Sequence, residues 1–132
     1  MADRKMLEPV RTIELFQKAP SPMTFYAGQI IFREGDLGDV MYGIIEGEVQ
    51  MWVNGKVIET LYSGDVFGTG ALIHSDFQRT STAIAVTDTQ LGFLDRQRFL
   101  YAVHQTPMFS LQIMKSYSDR FRRLKSQASL NN

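Results

Sequence analysis

The residues able to do chemistry gather in one short stretch, Asp65-Val66-Phe67-Gly68-Thr69-Gly70-Ala71-Leu72, followed by Arg79-Thr80-Ser81-Thr82-Ala83. Gly68 and Gly70 leave the backbone bare on both sides of Thr69, and successive exposed N–H groups in such a turn form a concave anion nest. Arg79 adds a permanently charged planar fork that matches phosphate oxygens. It stands at the entrance to a strand that otherwise reads as buried. An unpaired buried charge is very costly, so this arginine must find an anion. Two are open to it: a phosphate-bearing ligand, or an internal carboxylate such as Asp76 or Glu46 beside an ordinary tight turn. Phe77 beside it reads either as a pocket wall or as a surface aromatic.

Other chemistries lack their residues. The chain has no cysteine, which removes disulfides, thiolate metal sites and a cysteine nucleophile together. A metal-dependent oxygenase or isomerase on a β scaffold wants two or three histidines with a carboxylate on facing strands. Only His74 and His104 are present, the first placed in a loop and the second after a helix. Ser63, Ser75 and Ser81 have no histidine on a suitable element to act as base. Glu34, Asp36 and Asp39 look like a metal cluster but read better as turn residues. The expectation is a protein with no catalytic residues, no metal and no cofactor, hence not an enzyme. Lys+Arg and Asp+Glu balance at 14 each, so no net positive field draws the chain onto nucleic acid or anionic lipid. No apolar run approaches the roughly 20 residues that cross a bilayer, and the N-terminus shows no signal-peptide stretch. A cytoplasmic location is expected.

The elements that must position this stretch read clearly. A chain of 132 residues, 44% apolar and 21% charged, suits one globular domain over residues 1–132. Val10 to Lys18 suggests a short helix, with Thr12 as cap and Pro20 and Pro22 ending it. Gln29–Phe32, Met41–Ile45, Glu48–Val53, Val57–Leu61, Thr80–Val86 and Thr89–Leu94 read as strands. Val49, Met51 and Val53 share one face, while Asn54-Gly55 marks a tight hairpin. Gly28, Gly35, Gly47 and Gly64 fall at turns. Many short strands without intervening helices indicate an antiparallel barrel or jelly roll over residues 22–94. The period then switches over 95–125. Asp95 caps a helix from Arg96 to His104, and Thr106-Pro107 restarts the chain. Phe109, Ile113, Tyr117, Phe121 and Leu124 form an apolar stripe that either packs on its own barrel or pairs with a second copy. Arg120, Arg122, Arg123 and Lys125 are expected to face the helix's negative end, and Ser126 to Asn132 to fray. Trp52 reads as an exposed aromatic or a contact surface.

Several segments together resemble the cyclic nucleotide-binding domain family, as found in cAMP- and cGMP-regulated proteins and in Crp/Fnr-type sensors. They are Ala27-Gly28-Gln29-Ile30-Ile31-Phe32-Arg33-Glu34-Gly35-Asp36, Met41-Tyr42-Gly43-Ile44-Ile45-Glu46-Gly47-Glu48-Val49, Leu61-Tyr62-Ser63-Gly64-Asp65-Val66-Phe67-Gly68, and Leu94-Asp95-Arg96 with Phe99-Leu100. The resemblance spans about Phe25 to Leu124. It implies a mainly β fold, an antiparallel eight-stranded jelly roll (a double-stranded β-helix) with a short N-terminal helix and C-terminal helices.

It further implies a phosphate-binding cassette from Phe67 to Ala83, with Phe67, Gly68, Thr69, Gly70, Ala71, Leu72, Arg79, Thr80 and Ser81 at the ligand. Arg79 would grip the cyclic phosphate, aided by the N–H groups of Gly68, Gly70 and Ala71. Thr80 would touch phosphate or base, which leans toward cGMP. The family's glutamate after Phe-Gly, which accepts from the ribose 2′-hydroxyl, is Thr69 here; the next large apolar residue is Gly70, and the usual proline before the arginine is Gln78. The implied partners are a cyclic nucleotide or related phosphate-bearing metabolite, a partner protein, and a second copy paired through the C-terminal helix. In transcription factors of the family a helix-turn-helix follows that helix. None fits before Asn132, so direct nucleic-acid binding is not expected. The alternative is a domain of the same fold that binds no nucleotide and serves assembly.

Overall fold

A computed structural model describes residues 9–130. In chain order it has α1 (Pro9–Phe16), β1 (Met23–Phe25), β2 (Ile30–Phe32), β3 (Val40–Glu46), β4 (Val49–Val53), β5 (Lys56–Leu61) and β6 (Val66–Phe67). There follow α2 (Gly70–Ile73), β7 (Thr82–Ala85), β8 (Thr89–Asp95), α3 (Arg96–Gln105) and α4 (Met108–Leu130). The eight strands form two antiparallel four-stranded sheets, ordered β1-β8-β3-β6 and β2-β7-β4-β5. The hairpin joining β4 and β5 turns through Asn54 at φ +50° and Gly55 at φ +77°, as its sequence requires.

Strand alternation divides the core in two. Tyr42, Ile44, Val49, Met51, Leu61, Phe67, Ala83 and Leu91 point between the sheets with Phe32. Met41, Val66 and Leu94 point the other way, against Val10, Ile13, Ala102, Phe109 and Ile113 of the helices. Neighbouring Val66 and Phe67 therefore anchor one segment in both cores. Gly43 and Gly92 sit opposite each other on β3 and β8. Their bare backbone is the floor for α1: a Cβ at Gly43 would lie 2.8 Å from Ile13 Cδ1.

Local details depart from the sequence expectation. Thr12 does not cap α1 but lies buried inside its described span, Pro9–Phe16. Asp95 does cap α3, accepting from Arg98 N at 2.8 Å. His104 lies within that helix rather than after it, and Thr106 closes it, its N–H on Ala102 O. The last helix continues to Leu130 instead of fraying from Ser126, since Ser126 to Leu130 contains no glycine or proline to stop it; Asn131 and Asn132 lie outside the described residues. The helical region thus exceeds 95–125, and Arg120, Arg122, Arg123 and Lys125 lie upstream of the helix end.

The apolar stripe also splits. Phe109 and Ile113 are buried and Tyr117 and Leu124 half-buried, but Phe121 is exposed. Trp52 is half-buried, not exposed. Among the described residues no helix is long and apolar enough to cross a membrane.

Candidate functional site

Arg79 is fixed first by its backbone. Its N–H donates to Asp36 O at 2.7 Å and its C=O accepts from Gly35 N at 2.8 Å. This zips the residue to the turn after β2, where the Asp36 carboxylate closes the turn by accepting from Arg33 N. The side chain then runs inward and is only 6% exposed. Nη1 donates to Gly68 O at 2.9 Å and Nη2 to Val40 O at 2.7 Å.

One face of the guanidinium lies 4.1 Å from the Phe32 ring centroid, a desolvated cation–π contact. The Phe32, Tyr42 and Phe67 rings stack behind it with centroids 5.2–6.1 Å apart. Close against the guanidinium lies Gly38, whose missing side chain makes the room. Neither Asp76 nor Glu46 reaches it. Among the described residues no carboxylate pairs with it, and its buried Nε has no partner. Burial pushes its pKa below the ordinary arginine value, while Tyr42, Asp39, Tyr117 and Asp36 pull the other way. Arginine stays charged regardless. The site therefore holds a buried cation that two backbone dipoles orient and no anion neutralises.

The glycine segment lies beside it. Gly68 takes φ +78°, a conformation open to glycine, and its lack of Cβ also clears Arg79 Nη1. Phe67, Thr69, Ala71 and Leu72 are buried, Gly68 and Gly70 half-buried. Thr69 has ordinary helical dihedrals and turns its side chain inward, where Oγ1 finds no partner. The short α2 follows, with Leu72 N on Thr69 O. Of the other predicted residues, Thr80 is exposed, Ser81 half-buried, and Phe77 exposed with φ +55°.

The C-terminal helix is fastened to this segment at several points. Thr69 N–H donates to the Tyr117 hydroxyl at 3.2 Å, and Val66 N–H to Ser116 Oγ at 3.3 Å. Arg120 makes a two-pronged pair with Glu59, Nε to Oε1 at 2.7 Å and Nη2 to Oε2 at 2.8 Å, and gives Nη1 to Val66 O. Arg123 Nη2 pairs with Asp65 at 2.8 Å. These contacts replace the expected role of the arginines at the helix end. A groove of about 650 Å³ runs between α4 and the Ser63-Gly64-Asp65 turn. It is roomier than it is reactive, because its charges are already paired, Lys115 with Asp119 and Asp65 with Arg123. Among the described residues the buried charge without an ion-pair partner is Arg79.

Sequence reasoning gives no role at the site to Gly38, Phe32, Tyr42, Tyr117 or the Glu59–Arg120 pair. Two of these had a readable signal. Glu59 shares its strand face with Leu61, and Arg120 falls on the stripe of Ile113, so each is a charge at a core position. Nothing in Leu37-Gly38-Asp39 separates a glycine kept for space from one kept for a turn.

Residues 22–106 match the family model described as cyclic nucleotide-binding domain. The cAMP-dependent protein kinase regulatory subunit of Schizosaccharomyces pombe is 41% identical over 78 residues, 58% of this chain and 19% of that protein. Rap guanine nucleotide exchange factor 1 of Caenorhabditis elegans is 32% identical over 95 residues, 71% of this chain and 9% of that protein. The chain thus spans less than a fifth of either relative. The crystal structure of the Thermus thermophilus catabolite activator protein superposes with a TM-score of 0.72 at 26% identity, covering 93% of this chain and 58% of that one. With the same two-sheet roll, an arginine seated beside the glycine segment and the family model matched over most of the roll, the chain belongs to the cyclic nucleotide-binding domain family.

Proposed function

We propose that this domain is a regulatory sensor that binds cAMP, cGMP or a related phosphate-bearing metabolite and acts by binding rather than by catalysis. The observation that carries this reading is Arg79: a buried guanidinium, oriented by Gly68 O and Val40 O, with Nε unpartnered and, among the described residues, no carboxylate paired with it. An acceptor at Nε forms a charge-assisted hydrogen bond in a water-poor setting. The ligand phosphate would lie over Gly68 to Ala71, within reach of Thr80 and Ser81, with Phe67 and Leu72 supporting the segment from the core. Movement of this segment would pass to α4 through Tyr117 and Arg120, and on to a partner protein, provided the ligand prefers one arrangement.

The test is a melting series. At a hundred times its dissociation constant a ligand adds about 2.7 kcal/mol of stability, several degrees for a domain of this size. Cyclic AMP or cyclic GMP is expected to raise the melting temperature of the wild type and to leave Arg79→Ala unchanged. Flat curves for both nucleotides at millimolar concentration would reject the proposal for them. One observation favours the second reading, an assembly module without nucleotide. Thr69, where the family resemblance places a ribose acceptor, turns inward, and its N–H is taken by Tyr117.

Either reading accommodates a homodimer, but on a different stripe from the one the sequence suggested. Leu111, Met114, Ser118, Phe121 and Lys125 are all exposed at alternating steps of three and four, the spacing of a two-helix seam. Light scattering is expected to show a dimer for the wild type and a monomer for Met114→Glu/Phe121→Glu. A wild type that stays monomeric at 100-micromolar order concentration refutes it.

A further inference from the structure

We propose that Tyr117 is a positioning residue for the Arg79 anion site, acting through the single peptide group that joins Gly68 to Thr69. The carbonyl of that peptide accepts from Arg79 Nη1 at 2.9 Å, and its N–H donates to the Tyr117 hydroxyl at 3.2 Å. A trans peptide is planar and its C=O and N–H point in opposite directions. Rotating the plane therefore breaks both bonds at once. Gly68, on its N-terminal side, is free to rotate at low steric cost, so the two hydrogen bonds do the holding. One comes from the cation of the site and the other from the last helix.

Tyr117 is itself held. The Arg120 guanidinium lies 4.5 Å from its ring centroid, and Glu59 fixes that guanidinium. Contact therefore runs from β5 through α4 and one peptide plane to Arg79. While the plane is held, Nη1 and Nη2 each have a backbone acceptor, and Nε is the guanidinium nitrogen without one. Once the plane is released, Nη1 loses its acceptor and the guanidinium can swing. Linkage makes the effect mutual: the Tyr117 hydroxyl bond strengthens the grip on an anion, and a bound anion strengthens that bond. The binding half of this inference rests on the reading of Arg79 as the ligand's arginine; the link between Tyr117 and Arg79 does not.

The experiment uses the full chain, ¹⁵N-labelled, with the Arg79 Nε–H resonance assigned through its loss in Arg79→Lys. Tyr117→Phe keeps the ring under Arg120 and removes only the hydroxyl. It is expected to shift the Arg79 Nε–H resonance without any ligand and to weaken cyclic AMP binding about two- to twelvefold, the effect of one net hydrogen bond. Ser116→Ala removes the hydrogen bond from Val66 N–H to α4 without touching the 68–69 peptide. It is expected to leave both readouts at their wild-type values. An unmoved resonance in Tyr117→Phe overturns the proposal. So does an equal shift in Ser116→Ala, which would make helix seating, not the hydroxyl, the cause. A shifted resonance together with a wild type that binds neither cyclic AMP nor cyclic GMP upholds the link and rejects the ligand reading alone.

Discussion

Glu59→Gln is expected to lower folding stability by about 3–5 kcal/mol, the usual cost of leaving a buried charge without its partner. Domains of this kind are stable by about 5–15 kcal/mol, so the variant sits near the threshold of folding. The size of the effect follows from the geometry around Arg120. Both side chains are almost wholly buried, at 11% and 8% exposure. Both carboxylate oxygens are engaged by the guanidinium, and Nη1 is given to Val66 O. Burial alone draws the Arg120 pKa down, yet its hydrogen bonds to Glu59 and the nearby Glu59 and Tyr117 raise it overall. A glutamine keeps one acceptor and sets an amide donor against the other guanidinium nitrogen, which leaves a cation in the core.

The position matters as much as the pair. Glu59 lies on β5 and Val66 on β6, the outer strands of the two different sheets. Arg120 therefore closes the seam between the sheets and seats α4 across it. Replacing both partners by apolar residues of similar volume is often neutral, so Glu59→Leu/Arg120→Met is expected to recover most of the loss. Urea melts of the three proteins decide the matter. A loss under about 1 kcal/mol in the single variant would mean that water reaches the pair, as it does for surface ion pairs.

The sequence announced the roll through signals that act over a few residues. Asn54-Gly55 demands its turn, Val49, Met51 and Val53 demand their face, and Asp95 finds its helix N-terminus. The strand pair around the site was less legible. Two-residue β6 has too few side chains to show an alternation, and its place is set by Val66 and Phe67 entering opposite cores. In α4 the sequence spacing shows the stripe at one phase only. The helix has two apolar faces, Phe109 and Ile113 inward and Leu111, Met114 and Phe121 outward, and sequence spacing alone cannot say which one meets the barrel. Arg79 stands out in the sequence because its type, its neighbouring glycines and its strand stand together. Its orienting partners do not, since Gly68 O and Val40 O are backbone atoms that any residue supplies.

Gly38 is the clearest case of a packing role hidden from sequence, and on the proposed reading Gly38→Ala is expected to weaken cyclic AMP binding about ten- to 150-fold, the value of one charge-assisted hydrogen bond. This glycine is not kept for its dihedral, because its φ is not positive. It is kept for space. A Cβ there would overlap Arg79 Nε and Cζ and stand 2.7 Å from Nη2. The obstacle is the far end of a flexible side chain, so the guanidinium leaves its slot while the sheets stay in place. Gly68 O and Val40 O then lose their donor, at about 1–3 kcal/mol for a buried carbonyl left unmet, partly offset by release of the buried charge.

Gly64→Ala serves as the control. It stands at φ +94° with open space where its Cβ would go, so it costs about 1–2 kcal/mol of backbone strain and should leave affinity alone. Calorimetry with cyclic AMP beside melting curves separates the two: Gly64→Ala loses stability with its affinity intact, Gly38→Ala loses affinity out of proportion to its stability. If Gly38→Ala binds as tightly as the wild type, the inward seat of Arg79 is not the one the ligand uses, and the guanidinium must reach the phosphate from another rotamer.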